Sequence, residues 1–144
     1  MARIEITLPE KFIFKTSIPV RVRDLNYGNH VGNDSILTLM QEARTLFYRS
    51  MGFESEVKLD GNIGQIVSDA AIVYKAESFL GDVLDIEIWI GDQNKYGFDL
   101  FYRITKGDDK KEVARGKTGI VYFDYEKRKI ATVPEKLKTK LMSL

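Results

Sequence analysis

The 144-residue sequence contains no cysteine and only one histidine. Without cysteine the chain cannot form disulfides, thiolate zinc sites or a thiol nucleophile, and a single histidine excludes zinc sites that need two or three imidazoles. The sequence also lacks an excess of charge of either sign, because 22 basic and 21 acidic residues leave a net charge of +1. This balance provides no broad basic field, so we expect no nucleic-acid partner and no binding to an anionic membrane.

Long apolar runs are absent as well, since no stretch reaches the roughly 18 consecutive apolar residues of a membrane-spanning helix. The first ten residues mix charged with apolar side chains, unlike a secretory signal. No repeat or flexible linker interrupts the chain, and no P-loop, dinucleotide fingerprint or metal-ligand spacing occurs. We therefore expect a cytoplasmic protein that forms one domain over residues 1–144 and uses no cofactor.

The strongest periodic segment runs from Asp34 to Met51 and predicts an amphipathic helix, because its apolar residues recur at steps of three and four. Asn33 is expected to cap this helix, and Gly52 to end it in the left-handed conformation. The apolar stripe covers more than half of the circumference, which favours a helix enclosed by a curved sheet. The residues of the stripe are Ile36, Leu39, Met40, Ala43, Leu46, Phe47 and Met51.

Beyond the helix the apolar period changes from 3.6 to 2, as in half-buried antiparallel strands. A strand at 18–23 and a short strand at 4–8 are predicted before the helix, a hairpin loop at 106–111, and a C-terminal helix at about 134–143. The predicted class is α+β, with one curved antiparallel sheet wrapped around a long central helix. The four downstream strands are predicted at residues 64–77, 82–90, 98–104 and 111–124.

Polar residues crowd into the segment 21–34, which leads into the long helix and holds His30, the only histidine. A loop that enters a helix N-terminus points backbone amides and the positive end of the dipole at any group bound there, which suits a carbonyl or an oxyanion. Taken alone, the segment fits a purely structural interpretation about as well as it fits a binding site. In that interpretation Asn33 caps the helix, and Gly28 and Gly32 permit tight turns.

The sequence resembles the hotdog-fold thioesterases in two blocks. Members carry D-x-D-x-x-G-H-V-N-N before a long helix containing E-A-R, and this chain has DLNYGNHVGN at residues 24–33 and EAR at 42–44. They also carry a strand Tyr followed by a Gly-Asp pair, here Tyr74 and residues 81–82. The resemblance spans about 15–125. It implies the hotdog fold, with hydrolysis of an acyl thioester carried on coenzyme A or on acyl-carrier protein.

The resemblance also implies which side chains act. Bacterial acyl-CoA thioesterases of this superfamily usually place their catalytic Asp where this chain has Asn26, and an amide is neither a nucleophile nor a strong base. In the plant acyl-ACP thioesterases the matching positions put His30 on their His, Glu77 on their catalytic Glu and Ser78 on their Cys. Glu77 is therefore the expected base. Asp24 is the alternative, since on a strand it would share a face with Asn26.

In the expected reaction the backbone amides of Gly32 and Asn33 polarise the thioester carbonyl, and Asn26 and His30 orient water and substrate. Glu77 or Asp24 removes the proton. The leaving thiol has a pKa of about 8.5, so it needs little acid assistance.

Two other functions compete with hydrolysis. A hotdog-fold hydratase or dehydratase would carry D-x-N-P-x-H, which the residues before His30 do not match. A non-catalytic acyl-thioester binding module is motivated by Asn26.

Each candidate carboxylate also has a structural alternative. Asp24 can pair with Arg21 or Arg23, and Glu77 with Lys75. Asp69 is a further candidate base on a strand, on the face that also carries Val67.

Arg44 is expected to snorkel along the helix surface with its charge in water. The cluster Lys127, Arg128 and Lys129 suits the phosphates of coenzyme A, but lysines are also common at hairpin tips for solubility, so no role is assigned to it.

Apolar side chains on predicted outer strand faces favour a homodimer or a homotetramer. The resemblance implies the same. These side chains belong to Val67, Ala71, Val73, Trp89 and Phe101.

Overall fold

The computed structural model, which describes residues 2–144, places a long helix against one face of a six-stranded antiparallel sheet. The sheet order is β1-β3-β4-β5-β2, with β6 paired to β5, so β1 and β2 form the two edges. This arrangement confirms the predicted α+β class. The elements are β1 (Lys11–Pro19), a 3-10 turn (Val22–Asp24), α1 (Asn33–Ser50), β2 (Ile63–Tyr74), β3 (Val83–Asn94), β4 (Gly97–Lys106), β5 (Lys111–Asp124), β6 (Lys129–Ile130) and α2 (Glu135–Met142).

Helix α1 packs into the sheet through its apolar stripe, and Leu39, Met40, Ala43 and Phe47 are fully buried. Each large apolar side chain buried in this way contributes about 1.5–3 kcal/mol. The facing strand residues alternate as predicted. They are Leu84, Ile86, Ile88 and Ile90 of β3 and Phe98, Leu100, Tyr102 and Ile104 of β4.

The helix approaches β5 closely at Gly116, where a Cβ would collide with the Met40 thioether. The helix begins at Asn33 with Gly32 as its N-cap, so the predicted cap lies one residue too late. Its end agrees with the prediction, because Gly52 follows the last turn with φ of 92°. Neither described helix combines the length and the hydropathy needed to cross a membrane.

The predicted strand at 18–23 is wrong. Strand β1 ends at Pro19, and residues 22–24 instead form the 3-10 turn, because the Asp24 carboxylate accepts the Arg21 backbone N–H at 2.8 Å and folds the chain back. Residues 4–8 form no strand either. The carbonyl of Ile6 accepts a hydrogen bond from the Arg115 side chain instead of pairing with a strand.

Strand β2 departs from its predicted geometry at two places. It ends at Tyr74 instead of Glu77, because the amides of Lys75 and Ala76 both turn to the Val113 carbonyl. A register shift between Val67 and Asp69 also puts these two side chains on opposite faces, so the predicted shared face is wrong.

Arg44 does not snorkel into water as predicted. Its side chain is only 4% exposed, and Nε donates to Glu56 Oε1 at 2.9 Å. The loop after α1 carries Glu56 over the arginine and closes this end of the core. Removing one partner of such a buried pair costs about 3–5 kcal/mol.

The outer face of the sheet is less open than the sequence suggests. Trp89 is half-buried beneath Phe12, whose ring lies 5.4 Å away edge-on, and the Arg103 guanidinium lies 5.7 Å from the indole. Phe101 is also half-buried and, together with the Pro9 ring, borders the space above Gly91. The chain's own residues therefore cover part of the surface predicted to meet a partner.

Candidate active site

A cleft of about 310 Å³ opens at the N-terminal end of α1. One wall is the loop and first helical turn that carry His30, Asn33 and Ile36, and the opposite wall is the segment after β2 that carries Glu77 and Ser78. Three of the six predicted site residues, His30, Asn33 and Glu77, therefore line one cavity. The other three do not line it.

Backbone hydrogen bonds hold the two walls together. The Val31 amide donates to the Ser78 carbonyl at 2.8 Å, which places His30 opposite Glu77. The Lys106 ammonium donates to the Glu77 carbonyl at 2.5 Å, and also pairs with Asp82 at 3.2 Å. A hydrogen bond from the Phe79 backbone N–H lowers the pKa of Asp82, so this anchor stays ionised at neutral pH.

Asn26 stabilises the loop instead of facing the cleft. Its side-chain oxygen accepts the Gly28 amide at 2.9 Å, and its backbone N–H donates to the His30 carbonyl at 2.9 Å. Asn29 completes the turn with φ of 61°, a left-handed conformation that asparagine tolerates. In this geometry Asn26 shapes the loop that presents His30.

The His30 ring is half-buried, and its Nδ1 lies 3.2 Å from the Val31 carbonyl. A carbonyl only accepts, so in the neutral ring this contact favours the tautomer with its proton on Nδ1. The second nitrogen, Nε2, then carries a lone pair and can accept a hydrogen bond from water or substrate.

The helix N-terminus offers fewer amides to the cleft than expected. The Gly32 N–H already donates to the Asp24 carbonyl at 3.0 Å, so the predicted role of this amide in carbonyl binding does not fit the structure. The Asn33 N–H belongs to the first helical residue and has no acceptor within residues 2–144. Of the helix-start residues that line the cleft, Asn33 is therefore the one with a free amide, and with the positive end of the dipole this amide can polarise a carbonyl.

Glu77 projects an exposed carboxylate with no ion pair or side-chain hydrogen bond in the described part of the chain. The pairing considered with Lys75 does not form, because Lys75 lies 3.3 Å from Glu112. Glu112 also pairs with Arg115. The Glu77 carboxylate is thus available to accept a proton.

Asp24 is engaged elsewhere. It is 4% exposed, and its carboxylate accepts hydrogen bonds from both the backbone N–H and the Nε of Arg21. The same guanidinium donates from Nη2 to Glu42 Oε2 at 2.6 Å. The 3-10 turn removes the strand on which Asp24 and Asn26 were predicted to share a face. The ion pair considered as the structural alternative is therefore present.

Asp69 lies on the outer face of β2, away from the cleft. Its carboxylate accepts from Lys117 at 2.7 Å and from the Gly119 amide at 3.0 Å. The hydrogen bond from Lys117 lowers the pKa of Asp69, which makes it a weaker base. The cluster at 127–129 does not line the cleft either, and the Arg128 guanidinium lies 5.2 Å from the Phe123 ring.

Ser78 is a residue of the cleft to which the sequence assigned no role. It is 1% exposed, and its hydroxyl is the one buried side-chain polar atom in residues 2–144 without a hydrogen-bond partner. Such an unpaired group costs roughly 1–3 kcal/mol. The only sequence signal was its position beside Glu77, matched to a cysteine in the plant enzymes.

Solved structures with this fold come from several organisms. A 1,4-dihydroxy-2-naphthoyl-CoA thioesterase from Synechocystis is 22% identical, over 91% of this chain and 96% of that protein, with a TM-score of 0.82. A hypothetical protein from Staphylococcus aureus in complex with CoA is 16% identical, over 96% and 87%, with a TM-score of 0.82. A 12:0-ACP thioesterase from Umbellularia californica is 15% identical, over 90% and 52%, with a TM-score of 0.72.

These likenesses confirm the predicted hotdog fold. No protein with a curated description matches the chain in sequence. The model of one family does match it, over residues 20–141, and this range includes the loop, the helix and the opposite wall of the cleft. The predicted class of enzyme, a thioester hydrolase, agrees with that match. The chain belongs to the thioesterase-like superfamily.

Proposed function

We propose that the protein hydrolyses an acyl-CoA thioester in the cleft at the start of α1. The observation that carries this proposal is that three residues with an unengaged group line one cavity: Glu77 with its carboxylate, His30 with Nε2 and Asn33 with its backbone amide. Together they supply a base, an acceptor that orients water, and a donor for the carbonyl. Hydrolysis of a thioester requires these functions and no strong acid.

In the proposed reaction the thioester carbonyl accepts the Asn33 amide at the positive end of α1. Water held by His30 Nε2 gives a proton to Glu77 as its oxygen attacks the carbonyl carbon. The tetrahedral intermediate collapses with cleavage of the C–S bond. The thiolate leaves without prior protonation, because its conjugate acid has a pKa of about 8.5.

Coenzyme A is the proposed carrier because one structural relative is a CoA thioesterase and a second was solved with CoA. Acyl-carrier protein is the alternative carrier, supported by the more distant plant relative. The two carriers are distinguished by comparing the rate of thiol release from an acyl-CoA with the rate from the same acyl group on carrier protein.

The proposed function is tested by measuring thiol release from short, long and aromatic acyl-CoAs by purified protein. We expect saturable release from at least one of them. If a thioester binds without release, the protein is a binding module. Hydration of an enoyl-CoA without thiol release would identify a hydratase. Either result contradicts the proposed hydrolysis.

We also propose that two copies associate through the exposed edge strand β2. Val67 lies on the inner side of this strand and is 44% exposed, and the free edge of β2 pairs with no strand of its own chain. An exposed edge with apolar side chains is a template for pairing with another chain. The partly covered outer face is less suited to this role.

Sedimentation should therefore show a species of at least twice 16.5 kDa at micromolar concentration. Val67→Lys should shift it toward the monomer, because a charge on the paired edge opposes association. The matched control is Phe12→Lys, an exposed apolar residue on the opposite edge strand β1, which should leave the mass unchanged. A monomeric wild type would contradict the proposal.

A further inference from the structure

The Ser78 hydroxyl is buried beside the cleft, and the described part of the protein gives it no partner. A serine hydroxyl carries one donor and two acceptor positions, and buried side chains of this kind are normally hydrogen-bonded. An unpaired hydroxyl in the wall of a candidate active site therefore points to a partner supplied by the bound molecule.

The backbone around Ser78 leaves the side chain little freedom to move to another partner. The Ser78 carbonyl accepts the Val31 amide, and the preceding carbonyl of Glu77 accepts Lys106. On the other side the Phe79 amide donates to the Asp82 carboxylate at 2.9 Å. Three consecutive residues are thus held by separate bonds, and Ser78 is fixed in the wall of the cavity that Asn33 also lines.

The start of α1 lacks one donor. A developing oxyanion is best stabilised by two or more preorganised donors, and Gly32 cannot serve because its amide donates to Asp24. Of the helix-start residues that line the cleft, Ile36 donates its amide to the Gly32 carbonyl, and Asn33 alone has a free amide. Ser78 is held next to this helix start by the bond to Val31, and its hydroxyl can donate.

We propose that the Ser78 hydroxyl is the second donor to the thioester carbonyl oxygen, opposite the Asn33 amide. The inference rests on the proposed hydrolysis in this cleft. As the attacking water forms its bond to the carbonyl carbon, the C–O π electrons move to oxygen, and both donors hold that charge. When the C–S bond breaks, the electrons return to the carbonyl and the hydroxyl keeps its proton.

A nucleophilic role for Ser78 does not fit the contacts. A serine nucleophile needs a base within hydrogen-bond distance to take its proton, and the Ser78 hydroxyl has no bond to His30 or to any other described group. Donation to an oxygen that arrives with the substrate requires no such base. It also explains why the hydroxyl is unpaired in the free protein.

Ser78→Ala separates this role from a structural one, because the two roles predict different effects on stability. The substitution removes no protein hydrogen bond, so the melting temperature should stay the same or rise. We expect kcat to fall about 10²- to 10³-fold, the usual effect of losing one oxyanion donor, with KM changed only a few-fold. Ser17→Ala is the matched control, since its exposed hydroxyl bonds Asp85 far from the cleft.

A second variant, Ser78→Cys, keeps a weak donor of similar shape and should have a rate between those of wild type and Ser78→Ala. If the wild type is active, three results would overturn the proposed role of Ser78 and leave the proposed hydrolysis intact. These are a lower melting temperature of Ser78→Ala with unchanged kcat, a Cys variant at least as fast as wild type, and an acyl group on Ser78 found by mass spectrometry. A folded wild type without thiol release from any thioester would overturn both proposals.

Discussion

Glu77→Gln should lower kcat for thioester hydrolysis by about 10²- to 10⁴-fold and leave KM nearly unchanged. The amide keeps the shape and the hydrogen-bonding capacity of the side chain but cannot take a proton from water. Glu77 forms no ion pair within residues 2–144, so its loss removes no internal contact and stability should not change. Steady-state thiol release and thermal unfolding measure the two effects.

Asp24→Asn is the matched control for this variant. Asp24 is buried against Arg21, so the substitution weakens charge-assisted hydrogen bonds and should cost about 1.5–3 kcal/mol of unfolding free energy. Its effect on kcat should be less than tenfold, because the carboxylate lies outside the cleft. If Asp24→Asn is inactive while Glu77→Gln turns over normally, the base has been assigned to the wrong residue.

His30→Ala should lower kcat/KM by about 10²-fold or more, because it removes the acceptor that is proposed to orient the attacking water. Folding should be retained. The ring is only half-buried, and its one hydrogen bond is to the neighbouring Val31 carbonyl. The measurement is thiol release together with circular dichroism of the variant.

The control for His30 tests the alternative location of the site. Neutralising Lys127, Arg128 and Lys129 together should leave kcat unchanged and alter KM at most, since this cluster lies outside the cleft. Loss of turnover in the triple variant, with normal turnover of His30→Ala, would move the site to the lysine-rich loop.

The loop before α1 shows how the substitution of Asn26 for the usual carboxylate is accommodated. Asn26 stands where a carboxylate is usual, and its amide closes a turn with Gly28 instead of acting on substrate. In the proposed reaction the base comes from the opposite wall, at Glu77. This arrangement is the reason to expect hydrolysis in spite of the missing carboxylate.

Local periodicity determined most of the secondary structure. The helix from 33 to 50 and the strands β3, β4 and β5 follow from apolar steps of 3.6 and 2, because the spacing that places side chains on one face is a local property of the chain. The structure departs from these patterns where one acceptor group redirects the backbone. Examples are the Asp24 carboxylate on the Arg21 amide and the Val113 carbonyl at the end of β2.

The sequence by itself also determined that the chain is thioesterase-like, because the motif at 24–33 and Glu77 are recognised from the order of residues alone. Only the tertiary structure decided which groups are free to react. The Gly32 amide is already bonded to Asp24, whereas the Ser78 hydroxyl has no partner. The first fact follows from how the loop before α1 folds back on itself, and the second from how the segment after β2 packs beside that loop. No local pattern of residues encodes whether a donor remains unpaired.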